Sequence, residues 1–379
     1  MRSGTSLVQR GGRFLEGFWY EVTWPRRLRA HAPWLRPGRW VPVDSSRRVW
    51  RHVEAELPNA VAAPGGKGNS SKGRSRVAEM RIRPTPASLS QSLNRLRRRQ
   101  VMVPVSEARR SDAVAVIRVQ GSRAHLVALS PHERQAIRVG GRGAYDAAYV
   151  DARRRFQRWV AAPAFSVSDD GAVLVEQWCE GVLVSQLPGE QQAAYATKLL
   201  EDLAALTAAE TTADEESWWR RLPAALERVT LPAPLRASLE HPAVQQALST
   251  SLLVPSQGDL HPGNLVVDSG DGQPRVVDFD YAGWVPIWFD TCKLVSRIWR
   301  HSEAGRDTIA VQLWQGLENV LQAAGVPEAR GMGLSQIRAL VAVGWDWWKV
   351  VSDRGAPPAD EELEERIRRA WVKESGKPG

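Results

Sequence analysis

Two short stretches place the strongest constraint on what this sequence can form. The first is "SQGDLHPGN" at residues 256–264, and the second is "VVDFDYAGW" at residues 276–284. Asp259 and Asn264 lie five positions apart in the first stretch, and Asp278 follows in the second. Each stretch is loop-like and adjoins a strand-like run, so we asked what two loops of this composition do together.

The segment between the two stretches predicts how they meet. The runs "LVV" and "RVV" are typical of short strands, and the Gly/Asp-rich turn "DSGDGQ" joins them as in a hairpin. A hairpin that folds back brings the side chains of Asp259, Asn264 and Asp278 to one point. Magnesium prefers oxygen ligands that it shares with substrate phosphates, which suits one Asn and one Asp. The remaining Asp can orient an attacking hydroxyl and accept its proton, so the pattern indicates phosphoryl transfer.

These residues also resemble a known signature. Asp259 and Asn264, followed by the "DFD" that starts at Asp278, resemble the catalytic motif of the aminoglycoside phosphotransferase and choline kinase superfamily, small-molecule kinases with the protein-kinase fold. The loop "GDLHPGNLVVD" matches almost residue for residue, and the similarity extends over about 112–352. The resemblance implies that Asp259 is the catalytic base, and that Asn264 and Asp278 hold Mg²⁺.

Three further positions are implied to support this site. Gln257 stands where the family commonly has His, and we expect tolerance there because an amide both donates and accepts hydrogen bonds. Asp290, in "WFDTCKL", sits where the family usually has an aspartate that braces the catalytic loop. His261 lies inside the loop and is predicted to support its structure.

The nucleotide side of the resemblance is less regular. No lysine occurs between Lys72 and Lys198, so the usual third-strand lysine is absent and Arg138 of "QAIRV" takes its place. Arginine carries a fixed charge and a bidentate fork but is bulkier than lysine. An arginine here is the habit of the choline kinase branch. Its acidic helix partner is predicted to be Asp151 by spacing, with Asp146 as the alternative.

Four other residues complete the predicted contacts with ATP or GTP. Gly121 and Ser122 lie in the "QGS" turn between the first two strands and are candidates for backbone contact with phosphate. Gln177 and Trp178 lie where the β-rich part ends, and we assign them to the same cofactor site. A lone "QGS" is also compatible with a simple turn.

The acceptor side resembles the choline kinase branch at two places, "DFDYAGWVPIWFD" and "VGWDWWKVVS" (343–352). The second resembles a Trp-bearing helix that walls the amino-alcohol pocket of those kinases. Aromatic faces near carboxylates suit a protonated or quaternary amine through cation–π attraction. The predicted acceptor-binding residues are Asp280, Trp284, Trp288 and Trp345. Trp348 belongs to an apolar stripe and is predicted to be core, whereas Trp345 and Trp347 flank that stripe and are the better candidates to face a cleft.

Hydrophobic patterning predicts an α+β architecture with a small antiparallel β lobe before a larger, mainly α-helical lobe, and the resemblance implies that this is the two-lobed, protein-kinase-like fold. Strands are predicted at 113–119, 125–129 and 135–139, with a hairpin over 164–178. Leu199, Leu200, Leu203 and Leu206 share one helical face. Helices are predicted at 144–161, 190–209, 288–302, 306–324, 333–352 and 359–372.

The predicted domains are a basic Trp/Arg-rich region of unknown fold (1–58), a largely disordered basic linker (59–111), a β-rich nucleotide-binding lobe (112–180) and an α-rich catalytic and acceptor-binding lobe (181–379). Residues 1–100 hold 21 Lys and Arg against 6 Asp and Glu, although the whole chain carries a formal net charge of +9. The remainder is therefore acidic, which is consistent with a cationic acceptor.

Three interpretations of the basic region compete. It is a solvated appendage, with Met80 or Met102 as alternative starts, or it attaches to an anionic or lipid surface through Trp and Arg. Sequence-specific nucleic-acid binding is not favoured, because no helix-turn-helix, zinc or RNA-recognition signature accompanies the charge.

Other features bound the class of protein. No apolar run is long enough for a membrane helix, and the opening residues have no apolar core of signal-peptide type. Cys179 and Cys292 offer neither a disulfide framework nor metal-site spacing, which fits a reducing cytosol and predicts a cytoplasmic protein.

The sequence therefore predicts a Mg²⁺-dependent enzyme that transfers the γ-phosphoryl group of ATP or GTP to a hydroxyl of a small molecule. The acceptor is left open among amino alcohols, aminoglycoside-like compounds and neutral sugars. The alternatives are a catalytically silent kinase-fold binding module, suggested by Arg138 and Gln257, and a kinase acting on Ser or Thr of a small peptide.

Overall fold

A computed structural model provides the structure of the chain. It describes residues 38–42, 49–52, 80–82, 115–117, 123–130, 134–214, 217–250, 252–301, 306–323, 332–354 and 356–375. The chain divides into two units, one of Met1–Asp146 with Ala164–Cys179 and one of Ala147–Pro163 with Glu180–Gly379.

The first unit contains an antiparallel sheet of eight described strands. The predicted strands are confirmed as β4 (Ala115–Ile117), β5 (Ala124–Ser130) and β6 (Gln135–Gly140), each paired with the next. The predicted hairpin is confirmed as β7 (Phe165–Val167) and β8 (Val173–Gln177). Buried Ile137, Val139 and Leu174 contribute to the core of this unit.

Three short strands from the basic N-terminal region extend the same sheet. β1 (Gly38–Pro42) and β2 (Val49–His52) come from the region whose fold the sequence left open, and β3 (Met80–Ile82) comes from the predicted linker. β2 pairs with β4, and β1 lies between β2 and β3. These strands are three to five residues long, and their sequences have no clear alternation of apolar residues. The rest of residues 1–111 lies outside the described part of the chain.

The second unit is rich in helices. The six predicted helices are confirmed within a few residues, whereas the helices between 222 and 249 were not predicted. The described helices are α1 (Ala147–Gln157), α2 (Gly189–Glu210), α3 (Leu222–Arg228), α4 (Ala233–Leu239), α5 (Pro242–Ser249), α6 (Phe289–His301), α7 (Arg306–Ala323), α8 (Leu334–Arg354) and α9 (Asp360–Ser375).

Two small antiparallel sheets in this unit carry the loops of interest. β9 (Gly181–Leu183), β12 (Leu265–Asp268) and β13 (Pro274–Val276) form the first, with β12 and β13 as the predicted hairpin. β10 (Thr212–Ala213), β11 (Leu252–Ser256) and β14 (Gly283–Pro286) form the second. The chain leaves β11 directly into the "GDLHPGN" loop and enters β14 directly from the "DFDYA" segment, so both loops lie at the ends of paired strands.

Helix packing follows the predicted apolar faces. The leucine face of α2 is buried throughout, and the predicted stripe of α8 is buried from Ile337 to Val351. Trp348 is core, as predicted, and stacks on Trp219 with ring centroids 5.6 Å apart. Trp347 corrects a prediction: it is 1% exposed and does not face a cleft, because α8 packs against neighbouring helices on that side too.

Two observations concern the class of protein. In the described residues, no helix combines the length and the apolar composition that crossing a membrane requires. Cys179 is partly exposed and Cys292 is buried, and both carry free thiols.

Candidate active site

The loop that carries Asp259 is held in place by Asp290, in the first turn of α6. The Oδ2 atom of Asp290 accepts from the Gly258 N–H (2.9 Å) and from the Ser256 hydroxyl, and its Oδ1 atom accepts from the Leu260 N–H (3.1 Å). Burial raises the pKa of Asp290, and these three donors oppose that effect. Asp290 is thus hydrogen-bonded to the backbone on both sides of Asp259.

Glycine is required at position 258. Its φ of +83° lies in the left-handed region, and a Cβ atom there would lie 2.0 Å from the Tyr281 carbonyl oxygen. The backbone of the loop therefore packs directly against the segment that follows Asp278. This close approach is one reason why the two stretches meet.

Hydrogen bonds join the same two stretches. The Gln257 Nε2 atom donates to the carbonyl oxygens of Val277 (3.2 Å) and Asp278, and its Oε1 atom accepts from the Asp259 N–H (2.9 Å). The Val277 N–H donates to the Asn264 carbonyl oxygen at 2.9 Å. Gln257 is fully buried and uses both ends of its amide, so it can take the place of the family's histidine as an architectural residue.

Asn264 and Asp278 have the chemistry of cation ligands. The Asn264 Nδ2 atom donates a hydrogen bond to the Asp259 carbonyl oxygen (3.0 Å). The Oδ1 atom of Asn264 remains as an oxygen ligand for a cation. Asp278 adopts a left-handed backbone conformation (φ 61°, ψ 63°). It directly follows Val277, whose N–H is bonded to the loop. Among the described residues, no group of three or more His, Cys, Asp or Glu side chains could hold a metal ion. An Asn/Asp pair completed by substrate phosphates is a different kind of site, and these residues fit it.

Lys293 is a site residue that the sequence analysis missed. Its Nζ atom forms an ion pair with Asp259 Oδ1 and lies 3.1 Å from the centroid of the Trp345 ring. The Lys293 side chain is 4% exposed, and burial lowers its pKa to about 8 although Asp259 acts in the opposite direction. The available signal was helical spacing, since Lys293 follows Asp290 by three positions and such residues share a helix face.

His261 is a neutral member of the loop. Its Nδ1 atom accepts from the Gly263 N–H at 3.0 Å, and its Nε2 atom lies 3.8 Å from Asp259 Oδ1. Burial lowers the pKa of His261 to about 4, despite the opposing charge of Asp259. A neutral imidazole has one nitrogen free to accept, which is the form this loop uses.

The predicted nucleotide contacts fall in different places. Arg138 Nε donates to Glu176 Oε2 at 2.6 Å within the sheet of the first unit, whereas Asp151 in α1 accepts from Arg155. Glu176 is thus a carboxylate partner of Arg138 that the sequence analysis did not name. Gln177 ends β8, and the Trp178 N–H donates to the Arg134 carbonyl oxygen at 2.7 Å. Gly121 and Ser122 lie outside the described residues.

The predicted acceptor residues differ in exposure. Trp345 is half-buried and faces Tyr281, with ring centroids 5.2 Å apart, while Trp284 is half-buried beneath the Arg155 guanidinium group. Asp280 is buried at 6% exposure. Trp288 corrects a prediction, because it is 1% exposed in an aromatic core with Trp219 and Phe289 and its ring is not available to a ligand.

Comparison with known proteins gives the following. The sequence model described as "Phosphotransferase enzyme family" matches residues 144–331, and no curated protein matches the sequence. A choline/ethanolamine kinase family protein from Mesorhizobium loti is similar at 17% identity, with a TM-score of 0.41 over 69% of this chain and 88% of that chain.

Two further solved phosphotransferases are also similar. An aminoglycoside 2'-phosphotransferase-IIIa in complex with GDP has 14% identity and a TM-score of 0.43, over 68% of this chain and 91% of that chain. The macrolide 2'-phosphotransferase MphH from Brachybacterium faecium has 14% identity and a TM-score of 0.40, over 66% and 91%. The sequence match thus makes residues 144–331, which include Asp259, Asn264, Asp278 and Asp290, similar to the phosphotransferase enzyme family.

Proposed function

We propose that this protein is a Mg²⁺-dependent phosphotransferase that moves the γ-phosphoryl group of ATP or GTP to a hydroxyl of a small molecule. The observation that carries the proposal is the junction of the two loops, in which Gln257 and Asn264 bond across to Val277. This junction places a carboxylate, an amide oxygen and a second carboxylate on neighbouring backbone segments. Phosphoryl transfer requires mainly positioning and charge neutralisation, which such groups supply.

In the proposed reaction, Asp259 accepts a hydrogen bond from the acceptor hydroxyl. As the hydroxyl oxygen bonds to the γ-phosphorus, the bond to the β–γ bridging oxygen breaks, and the hydroxyl proton passes to Asp259. Lys293 contacts the Oδ1 atom of Asp259, which leaves Oδ2 to accept that proton. Asn264 and Asp278 would hold magnesium, which neutralises phosphate charge when bound.

On the nucleotide side, the proposal assigns Arg138 to the phosphates. The Arg138 guanidinium group is charged at any physiological pH, and its Nε atom forms an ion pair with Glu176. Asp151, Gln177, Trp178, Gly121 and Ser122 complete the proposed nucleotide contacts.

The test is transfer of phosphate by wild type and by an Asp259→Asn variant, with and without Mg²⁺. We expect the substitution to lower kcat by roughly 100- to 10,000-fold, because the amide cannot take the proton. Nucleotide affinity should be unchanged. Asp271→Asn is a matched control, since Asp271 is exposed in the turn between β12 and β13 and should leave kcat intact.

One result would contradict the proposal. Tight nucleotide binding with no transfer to amino alcohols, aminoglycosides, sugars or small peptides, unchanged by Asp259→Asn, would identify the chain as a silent binding module. The acceptor panel also separates the small-molecule reaction from phosphorylation of a Ser- or Thr-containing peptide.

A further inference from the structure

The aromatic residues predicted to receive a cationic acceptor are already engaged. The Lys293 ammonium group lies 3.1 Å from the ring centroid of Trp345, and the Arg155 guanidinium carbon lies 5.7 Å from that of Trp284. Trp288 is in the core. The cations that contact these aromatic faces therefore belong to the chain itself.

Lys293 has both partners that an external ammonium group would need. Its Nζ atom contacts the Asp259 carboxylate on one side and the Trp345 ring on the other. A carboxylate together with an aromatic face is the environment that binds amine ligands. The lysine lies on α6, three residues after Asp290, and its side chain is buried. Its ammonium group therefore reaches Asp259 from the protein interior.

This position has a consequence for the acceptor. Its reacting hydroxyl must come within hydrogen-bonding distance of Asp259, and the same carboxylate contacts Lys293. In an amino alcohol, the cationic nitrogen lies two carbons from the hydroxyl and would come close to the lysine ammonium. Like charges in a partly buried site repel strongly, because little solvent screens them.

We propose that Lys293 determines specificity by occupying the cation position between Asp259 and Trp345, so that the acceptor is an uncharged hydroxyl compound rather than an amino alcohol or aminoglycoside. This inference rests on the proposed function. It replaces the cationic acceptor that the aromatic residues and the acidic composition suggested. The net acidity of residues beyond 100 does not restore that option, since the group that contacts Asp259 is itself a cation.

The direct test is binding of choline by isothermal titration calorimetry, which requires no turnover. We expect wild type to bind choline weakly, and Lys293→Met to bind it about tenfold more tightly, because Asp259 and the Trp345 face become available. Lys198→Met is the matched control, since Lys198 is exposed on α2, and it should bind choline as wild type does. Adding Trp345→Ala to Lys293→Met should abolish the gain.

Two results overturn the proposal. One is equal choline affinity in wild type and in a folded Lys293→Met protein. The other, which needs no variant, is a higher kcat/KM of wild type for choline or an aminoglycoside than for neutral hexoses. Lys293→Gln replaces Lys293→Met if circular dichroism shows that the latter is unfolded. If wild type transfers phosphate to no acceptor, the proposed function fails. The choline titrations then still show whether Lys293 occupies the cation position between Asp259 and Trp345.

Discussion

The ammonium group of Lys293 experiences burial and a carboxylate that act on it in opposite directions. Burial lowers its pKa to about 8, which means that desolvation outweighs the attraction of Asp259. The charged form persists at neutral pH, so the Asp259–Lys293 ion pair is present under ordinary conditions. The ion pair therefore holds the Asp259 carboxylate on the side of Lys293.

The lowered pKa predicts a dependence of stability on pH. The folded chain has a Lys293 pKa of about 8, below the ordinary value of 10.5, so the unfolded state binds more protons between these values. The free energy of unfolding contributed by Lys293 therefore rises with pH across that window. Urea unfolding of wild type and Lys293→Met between about pH 8 and about pH 10.5 measures it. A constant difference between the two proteins would contradict the shift.

For individual residues, the sequence predicted only part of the site. Asp259, Asn264, Asp278 and Gln257 lie in one short loop and its neighbour, so their meeting follows from local hairpin geometry. Lys293 reaches Asp259 from 34 positions away, on a helix whose position is set by tertiary packing. The sequence around Lys293 or Asp259 does not indicate that contact. The one local signal is the spacing between Lys293 and Asp290.

Among the elements, α6 has the greatest influence on the site. Its first turn supplies Asp290, whose carboxylate satisfies two backbone N–H groups and a hydroxyl in a buried place. Sequence patterns predicted this helix and the flanking hairpin well, because both have the periodicity of their type. The short helices α3–α5 and the pairing of β11 with β14 were missed, since short apolar runs do not distinguish helix from strand.

Asp290→Ala should lower the stability of the whole folded chain and not only that of the loop. The variant removes the acceptor of the buried Leu260 N–H and one of the two acceptors of the Gly258 N–H, which we expect to cost roughly 2–5 kcal/mol of unfolding free energy. Chemical denaturation measures the loss. Asp360→Ala is the control, because Asp360 also lies in the first turn of a helix but is exposed and pairs with Arg228. An equal effect of the two substitutions would contradict the bracing by Asp290.

For the whole molecule, the position of β1–β3 changes how the basic N-terminal region should be considered. These strands complete one side of the sheet that contains Arg138, through the pairing of β2 with β4. Composition predicted an appendage and a linker because Gly, Ser and Arg dominate there. The backbone pairing that joins short segments to a sheet edge leaves little trace in composition.

A chain that begins at Met102 should therefore be less stable than the full chain. It lacks β1–β3 and leaves the edge of β4 unpaired, so we expect a lower Tm and self-association. Differential scanning calorimetry and size-exclusion chromatography measure these. Deletion of residues 1–36 is the control, since it removes positive charge but keeps every described strand. Identical behaviour of all three chains would show that the strands contribute nothing.

Asp290 and Lys293 lie on the same helix, so any rotation of α6 moves the side chain that supports the loop together with the charge that contacts Asp259. Each residue of an α-helix turns by about 100°, and a single insertion at the start of α6 would rotate both side chains away from the loop together. On the proposal that Lys293 excludes amines, a substitution of Lys293 that keeps α6 in register is a small change that would open the site to amine acceptors.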